Sequence, residues 1–166
     1  FPPAPQFVPS LNKLVTLKSI ELINNGIKDF PNLDKCIHLE IINLSKNKLG
    51  RIIDIPEDHI KNLTELKELN LSYNQLRILP DNICNLTNLK ELIVNNNKIE
   101  KLPDNIGNLV NLKELDISNN ELKDLPSSIS RLGNITNFKF KHNTSIIKEH
   151  IRNPYYAEDG FNLCKN

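Results

Sequence analysis

The chain has 166 residues and a formal net charge of +1, from 21 Lys and Arg against 20 Asp and Glu. This balance argues against a basic nucleic-acid-binding surface, and because no apolar run reaches about 18 residues, no transmembrane helix is predicted. The three cysteines, Cys36, Cys84 and Cys164, lack the spacing of a zinc site. An odd, scattered set is typical of free thiols in a reducing compartment, which favours a cytoplasmic protein.

Residues 1–16 are predicted to form an N-terminal extension that resembles the second half of a preceding repeat unit. Four apolar residues have the spacing of four others that follow a predicted strand later in the chain: Phe7, Leu11, Leu14 and Leu17 match Leu125, Ile129, Leu132 and Ile135. The chain also begins at Phe1 rather than at Met. We therefore expect either that further chain precedes Phe1 in the gene product or that Phe1–Pro9 is an improvised cap.

Residues 17–143 are internal repeats. Three segments that align without gaps begin at Leu66, Leu89 and Leu112, a constant spacing of 23 residues. Each has the pattern L-x-x-L-x-L-x-x-N-x-L or a close variant, and related segments begin at Leu17, Leu39 and Ile135. A fixed period of this length indicates a repeat architecture, in which one unit buries its apolar face only by stacking on its neighbours.

The L-x-L part of the pattern has the spacing of a β-strand, because alternate residues of a strand point to the same side. Leu69 and Leu71 would face the core, while Glu68 and Asn70 would face solvent. Stacked units then give a parallel sheet with one strand per repeat. In the regular units a proline follows, such as Pro80, and apolar residues three and six positions later predict a short helical or 3₁₀ turn.

Two parts of the chain depart from the regular period. The unit that begins at Leu39 has four additional residues around Arg51–His59, and insertions in repeat arrays map to loops on one face. The pattern ends after Asn143, and residues 144–166 are predicted to form a C-terminal cap and tail. Because Ile146, Ile147 and Ile151 share one helical side, a capping helix is expected over about 145–153.

With these motifs the sequence resembles the leucine-rich repeat proteins, and its LPxxIxxLxxL half-repeats are similar to the Ras-group intracellular subtype with repeats of about 23 residues. The resemblance implies an α/β fold, a right-handed solenoid of about six repeats with a concave parallel sheet and convex short helical turns, here closed by the capping helix. It also implies a binding scaffold, with small GTPases, phosphatase subunits or scaffolding complexes as partner types.

One asparagine recurs at the end of each repeat pattern. An Asn side chain has both a donor and an acceptor, so at the turn after each strand it can satisfy the backbone groups of the bend. Stacked copies would form a structural ladder, which we predict in preference to glycan or ligand contact. Its predicted members are Asn25, Asn47, Asn74, Asn97, Asn120 and Asn143.

No catalytic or metal-binding constellation is recognisable in the sequence. The four histidines do not stand in zinc-binding spacing, and the phosphate-binding and nucleophile-elbow motifs are missing. The recurring carboxylates Glu68, Glu91 and Glu114 form a column of like charge rather than an acid–base pair. We therefore expect no enzymatic activity, no metal and no cofactor.

The solvent-facing side of the sheet is the predicted partner-binding surface. Its middle strands are acidic and its last strand is basic, and exposed apolar residues interrupt the polar ones. Tyr73, Glu91, Ile93, Glu114 and Asp116 are expected at its centre. The full predicted set is Glu68, Asn70, Tyr73, Glu91, Ile93, Asn95, Glu114, Asp116, Lys139 and Lys141.

The leading hypothesis for function is a non-enzymatic protein–protein interaction module that binds a protein partner through this surface in a scaffold, signalling or regulatory role. One alternative is the recognition segment of a larger multidomain enzyme or receptor. Another is a structural subunit of a large assembly, in which convex and edge surfaces carry the contacts. Six N-x-S/T sequons also leave an extracellular, glycosylated protein open.

Overall fold

The computed structural model describes residues 11–50 and 54–144. These residues form one six-stranded parallel sheet in which the strands lie in sequence order. Each strand has three residues: β1 is Ser19–Glu21, β2 Ile41–Asn43, β3 Glu68–Asn70, β4 Glu91–Ile93, β5 Glu114–Asp116 and β6 Asn137–Lys139. The sheet forms the concave side of a solenoid.

The strands form in these places because the middle residue of each is apolar and lies in the core. Leu69 pairs with Leu92, and the flanking Glu68 pairs with Glu91, so every repeat adds its strand in the same register. These middle residues form a core column that is buried throughout: Ile20, Ile42, Leu69, Leu92, Leu115 and Phe138. In the column formed by the residues two positions later, Leu44, Leu71, Val94 and Ile117 are buried, whereas Leu22 and Phe140 at the ends are only half-buried.

The return path of the repeats contains short 3₁₀ turns, and the described residues contain no α-helix. The turns are Leu11–Lys13, Glu57–His59, Asp81–Asn85, Ile106–Asn108 and Ser127–Arg131. Ile83, Ile106 and Ile129 point from them into the core. Proline suits the start of such a turn because its fixed φ is compatible and its missing N–H would have no partner there.

The insertion in the second repeat packs inward where it is described. Ile55 and Ile60 are buried, and the Asp54 carboxylate accepts hydrogen bonds from the backbone N–H groups of Arg77 (3.0 Å) and Ile78 (3.3 Å). The additional residues therefore connect the second repeat to the third.

Residues 1–10 of the predicted N-terminal extension (1–16) lie outside the described residues. So do residues 145–166 of the predicted C-terminal cap and tail, which include the capping helix expected at about 145–153. In the part of the chain that is described, no helix has the length and apolar character needed to cross a membrane.

Candidate protein-binding surface

A ladder of asparagines holds the backbone at the end of each strand. The Nδ2 group of Asn97 donates to Val94 O in its own repeat (3.0 Å) and to Leu71 O in the preceding repeat (2.9 Å). Its Oδ1 atom accepts from Leu76 N (3.0 Å). Asn47, Asn74 and Asn120 make corresponding bonds and are likewise buried, so each carboxamide ties neighbouring repeats together.

The two ends of this asparagine ladder differ from its interior. Asn143 is half-buried but keeps the bonds to Ile117 O (3.0 Å) and Phe140 O (2.7 Å). Asn25, which the sequence places in the same buried row, is exposed, and its Nδ2 group donates to Ile23 O two residues earlier (3.0 Å). The difference arises because no described repeat lies before β1 to cover Asn25.

The residue before each ladder asparagine has a left-handed backbone, with φ between 53° and 60°. Asparagine adopts this conformation more readily than most residues, and in three repeats it is asparagine. The six residues in this conformation are Asn24, Lys46, Tyr73, Asn96, Asn119 and His142. The Asn-Asn pairs of the sequence therefore have two separate causes, and sequence reasoning identified only the ladder.

A second row of asparagines lies at the other end of the strands, in the turn that precedes each strand. Asn88, Asn111 and Asn134 each donate from Nδ2 to the backbone carbonyl of a residue one repeat earlier, at 2.8–2.9 Å. These side chains are exposed, so each bond stabilises the fold less than a buried ladder bond does. The 23-residue recurrence of these asparagines is a sequence signal that could have revealed the row.

Three carboxylates stand side by side across the concave face. Glu68 pairs with Glu91, and Glu91 pairs with Glu114, on adjacent strands. Neighbouring strands are about 4.8 Å apart, so the charges repel one another. Partial burial, followed by the charges of Glu68 and Glu114, raises the pKa of Glu91. We refer to these three residues as the acidic column.

One member of the acidic column is paired with a cation, and a separate cluster of ion pairs lies at the start of β2. Lys139 on β6 lies 3.0 Å from Glu114, and Lys67 and Lys18 both pair with Glu40 at the start of β2. The hydrogen bond and charge of Lys67, with a smaller contribution from Lys18, lower the pKa of Glu40. Among the described residues no ion pair involves Glu68 or Glu91, so the centre of the column is uncompensated.

For Asp116, the structure differs from the sequence-based prediction of contact with a partner. Its side chain is buried, and Oδ1 accepts from Ser118 N (3.0 Å) and from Ser118 Oγ (2.6 Å). Asn70 makes the same two bonds with Ser72. In both repeats the side chain at the last position of the strand accepts a hydrogen bond from the backbone N–H two residues later. Asp116 therefore has a structural role.

This row of side-chain acceptors is interrupted in the fourth repeat. Ile93 occupies the position of Asn70 and Asp116, and it cannot accept a hydrogen bond. The next outward residue, Asn95, is half-buried, and its Oδ1 atom is buried with no hydrogen-bond partner among the described residues. Ile93 is itself half-buried, which gives the concave face an apolar spot beside Glu91.

A shallow depression lies over strands β1 to β4 and combines these features. Its rim and floor are formed by side chains of the concave face, among them Glu21, Ile41, Asn43, Glu68, Asn70, Glu91 and Ile93. Tyr73 follows β3 and is 53% exposed. The structure thus brings Glu68, Asn70, Glu91 and Ile93 together, while Lys139 and exposed Lys141 form a separate basic end at β6.

The described residues contain no cluster of side chains suited to metal binding and no reactive thiol. No group of three or more His, Cys, Asp and Glu side chains within them could hold a metal ion. Cys36 and Cys84 are free thiols in the core, and burial raises both pKa values, that of Cys84 to about 11. Thiols with raised pKa values are poor nucleophiles at neutral pH.

Two known proteins contain a segment that is similar in sequence to this chain. A segment of 63 residues is 41% identical to Ran GTPase-activating protein 1 of Saccharomyces cerevisiae, covering 37% of this chain and 16% of the yeast protein. A segment of 51 residues is 43% identical to leucine-rich repeat-containing G-protein coupled receptor 4 of Rattus norvegicus, covering 31% of this chain and 5% of the receptor. The matches therefore span a small part of each relative.

Solved structures match a larger share of the chain. A leucine-rich repeat protein of Leptospira interrogans superposes with a TM-score of 0.75 at 32% identity, over 86% of this chain and 36% of that one. The leucine-rich repeat ectodomain of the Arabidopsis thaliana receptor kinase GASSHO1/SCHENGEN3 gives 0.74 and 32%, over 82% and 17%. Residues 16–109 and 81–153 also match the leucine-rich repeat region family. The chain belongs to the leucine-rich repeat proteins.

Proposed function

We propose that this chain is a non-enzymatic protein-interaction module whose concave face binds a basic segment of a protein partner. The leucine-rich repeat fold serves in general as a scaffold for protein interaction. The acidic column supports the more specific part of the proposal, that the bound segment is basic. Glu68, Glu91 and Glu114 stand in register on adjacent strands, and among the described residues the first two form no ion pair. A partner that supplies lysine or arginine at this place would relieve their mutual repulsion.

The surroundings of the column suit a long basic side chain. Half-buried Ile93 lies beside Glu91, and exposed Tyr73 follows β3. The aliphatic stem of lysine or arginine packs on apolar surface while its charged end stays with the carboxylates. An exposed tyrosine provides a rigid amphipathic contact of the kind that is enriched in binding hot spots. Asn95 borders this centre, and Lys139 and Lys141 form the basic end of the same face; we propose all three as contacts of secondary importance.

We propose that the partner is a small GTPase, a phosphatase subunit or a scaffolding protein, and that binding takes place in the cytoplasm. The Ras-group resemblance of the half-repeats supports these partner classes, and one sequence relative is a Ran GTPase-activating protein. The free thiols Cys36 and Cys84 fit a reducing compartment.

A second candidate is the recognition segment of a larger enzyme or receptor. The share of the relatives that the chain covers favours it, because that share is 5% of the rat receptor and 17% of the plant ectodomain. The plant ectodomain was solved in complex with CASPARIAN STRIP INTEGRITY FACTOR 2, so in that receptor kinase the repeats belong to a ligand-binding ectodomain. Both candidates use the concave face, and the sequence of the whole gene product distinguishes them.

A library of displayed random-sequence peptides tests the proposal and does not require the partner to be identified first. Selection on the immobilised chain is expected to enrich peptides rich in lysine and arginine. The selected peptide should bind at least about tenfold more weakly when Glu68 and Glu91 are both changed to Gln. Binding should also weaken with rising salt, because the contacts are ionic and partly exposed.

The matched control is the double variant Glu100→Gln and Glu121→Gln. It removes the same charge from two exposed residues that follow β4 and β5 and come after the ladder asparagines in the chain. It should leave the affinity unchanged. Enrichment of peptides without basic residues, or equal losses in the two double variants, would show that the acidic column does not recognise the partner.

A further inference from the structure

Lys139 on β6 pairs with the last carboxylate of the acidic column. Its Nζ atom donates a hydrogen bond to Oε1 of Glu114 on the neighbouring strand, at 3.0 Å. In the sheet register Lys139 stands opposite Asp116, two positions beyond the residue opposite Glu114, so its side chain reaches back diagonally across the concave face. The hydrogen bond to Glu114 raises the pKa of Lys139. The ammonium group of Lys139 is therefore held at Glu114.

This pair divides the acidic column into an occupied part and an open part. Within residues 11–50 and 54–144, Glu68 and Glu91 form no ion pair, whereas Glu114 already holds an ammonium group. The side chain of Glu114 is 28% exposed in the pair. A lysine of a partner would make the same contact with Glu114 that Lys139 makes in the free chain. The two cations therefore compete for a single carboxylate.

We propose that Lys139 is a specificity determinant that limits the recognised segment to two cations, one for Glu68 and one for Glu91. This inference rests on the proposed function, since it concerns the length of the basic segment that the concave face binds. A third cation gains little at Glu114, because one contact between ammonium and carboxylate is exchanged for another. Lys139 is also part of the sheet, so its contact costs less freedom of motion than a contact with a separate molecule.

The effect of Lys139 differs from that of a general positive charge at β6. Lys141, two residues later, is exposed and forms no ion pair with any described residue. Both lysines repel a basic segment, but of the two it is Lys139 that occupies a carboxylate of the column. Lys141→Gln therefore removes the same charge from the same end of the face and leaves Glu114 occupied. It is the matched control for Lys139→Gln.

Two synthetic peptides with blocked ends test the inference, one with two lysines and one with three, each alternating with glycine. Alternate residues of an extended peptide are about 6.6 Å apart, and the flexible lysine stems allow the ammonium groups to meet carboxylates about 4.8 Å apart. The affinities are measured at low salt, where exposed ionic contacts are screened least. The quantity compared between variants is the ratio of the affinity for the three-lysine peptide to that for the two-lysine peptide.

Lys139→Gln should raise this ratio about two- to fivefold over wild type, because Glu114 becomes free for the third lysine. Lys141→Gln should change both affinities alike and leave the ratio at the wild-type value. Adding Glu114→Gln to Lys139→Gln should return the ratio to the wild-type value, since the gain requires that carboxylate. The raised ratio depends on direct contact with Glu114, whereas a change in overall charge affects both peptides.

Three results would overturn the inference. A ratio that is the same in wild type, Lys139→Gln and Lys141→Gln would remove the role of Lys139, while the proposed function stands as long as wild type binds both peptides. A gain that persists without Glu114 would place the third lysine elsewhere. Wild type that binds neither peptide would refute the proposed function itself, and the inference with it.

The pair can also be measured without a partner. Because the hydrogen bond to Glu114 raises the pKa of Lys139, Glu114→Gln should lower that pKa in a titration followed by NMR. Glu68→Gln is the control, since Glu68 forms no ion pair in the part of the chain that is described, and it should leave the pKa of Lys139 nearly unchanged. An equal pKa of Lys139 in wild type and Glu114→Gln would show that Lys139 does not occupy Glu114 in solution, which also overturns the inference.

Discussion

The Oδ1 atom of Asn97 accepts a hydrogen bond from the backbone N–H of Leu76, 21 residues earlier in the chain, at a distance of 3.0 Å. The same carboxamide donates to carbonyl groups of two repeats. The contact is buried, so water is not available to replace these bonds when the side chain is removed. The cohesion between repeats therefore depends on polar groups as well as on the leucine core.

Asn97→Leu should destabilise the fold. It leaves Leu76 N and the carbonyl groups of Leu71 and Val94 without their side-chain partner, which is expected to cost about 1–3 kcal/mol in the free energy of unfolding. Urea denaturation followed by circular dichroism measures the change. Asn111→Leu is the control, because Asn111 is exposed and makes one bond, to Thr87 O, so its loss should cost at most about 1 kcal/mol. A free energy of unfolding for Asn97→Leu that equals the wild-type value would mean that the ladder does not support the fold.

Tyr73→Asn should stabilise the fold and weaken binding. Tyr73 has φ of 55° in a position where three other repeats have asparagine, and asparagine reduces a left-handed penalty of about 1 kcal/mol. Tyr73→Ala is the control, since alanine removes the ring but keeps most of the penalty. If Tyr73 is a binding anchor, both variants lose affinity for the selected basic peptide, while thermal denaturation shows higher stability for Tyr73→Asn alone. Unchanged affinity would remove Tyr73 from the binding site.

The raised pKa of Glu91 gives stability a defined pH dependence. The carboxyl is protonated more readily in the folded chain than in the unfolded chain, because burial and then Glu68 and Glu114 disfavour its charge. Between the two pKa values the folded state binds more protons, so the contribution of Glu91 to stability falls as pH rises from its unfolded value of about 4.5. Glu91→Gln should therefore be more stable than wild type at neutral pH. The advantage should diminish as the pH is lowered through this window.

Denaturation of wild type and Glu91→Gln across that pH range measures the difference. Glu121→Gln serves as the control because Glu121 is exposed and lies beyond the ladder. A Glu91→Gln advantage that is constant with pH would show that removal of the Glu91 charge is not its cause. Greater stability of wild type at neutral pH would contradict the sign of the effect.

Glu57→Ala should destabilise the turn that follows Pro80. The two carboxylate oxygens of Glu57 accept hydrogen bonds from Asp81 N (2.7 Å) and Asn82 N (2.9 Å), which are the first N–H groups of the 3₁₀ turn. This side chain caps the turn from the preceding repeat, and its loss is expected to cost about 0.5–2 kcal/mol. The neighbouring Asp58→Ala is the control, since Asp58 makes an exposed pair with Lys61. Equal unfolding free energies for the two variants would show that Glu57 does not cap the turn.

Much of the fold could be predicted from the sequence because its determinants are periodic. The leucine spacing predicts one strand per repeat in a common register, and Leu69 and Leu92 do pair across β3 and β4. The position of each strand is repeated six times, so an error in one unit is corrected by the others. The family is therefore recognisable from the motifs alone.

The features that could not be predicted depend on which hydrogen bonds an individual side chain makes. Asp116 has the strand position of a solvent-facing residue, but its carboxylate bonds to Ser118 and is buried. Asn96 and Asn97 are identical in the sequence, yet one serves the backbone conformation and the other the ladder. Glu57 belongs to the irregular repeat, for which the period offers no guide. In each case local hydrogen bonding, not periodicity, decides the role.

The separation of charge along the sheet has a consequence for orientation. Carboxylates occupy the middle strands, whereas Lys139 and Lys141 lie at β6. The strands are parallel and stacked in chain order, so this face has a direction that a symmetrical surface would lack. A bound segment with basic residues at one end and acidic residues at the other would be attracted in one alignment and repelled in the reverse. If the concave face binds a partner as proposed, this charge layout would select the direction in which the partner lies along the repeats as well as the charge of the partner.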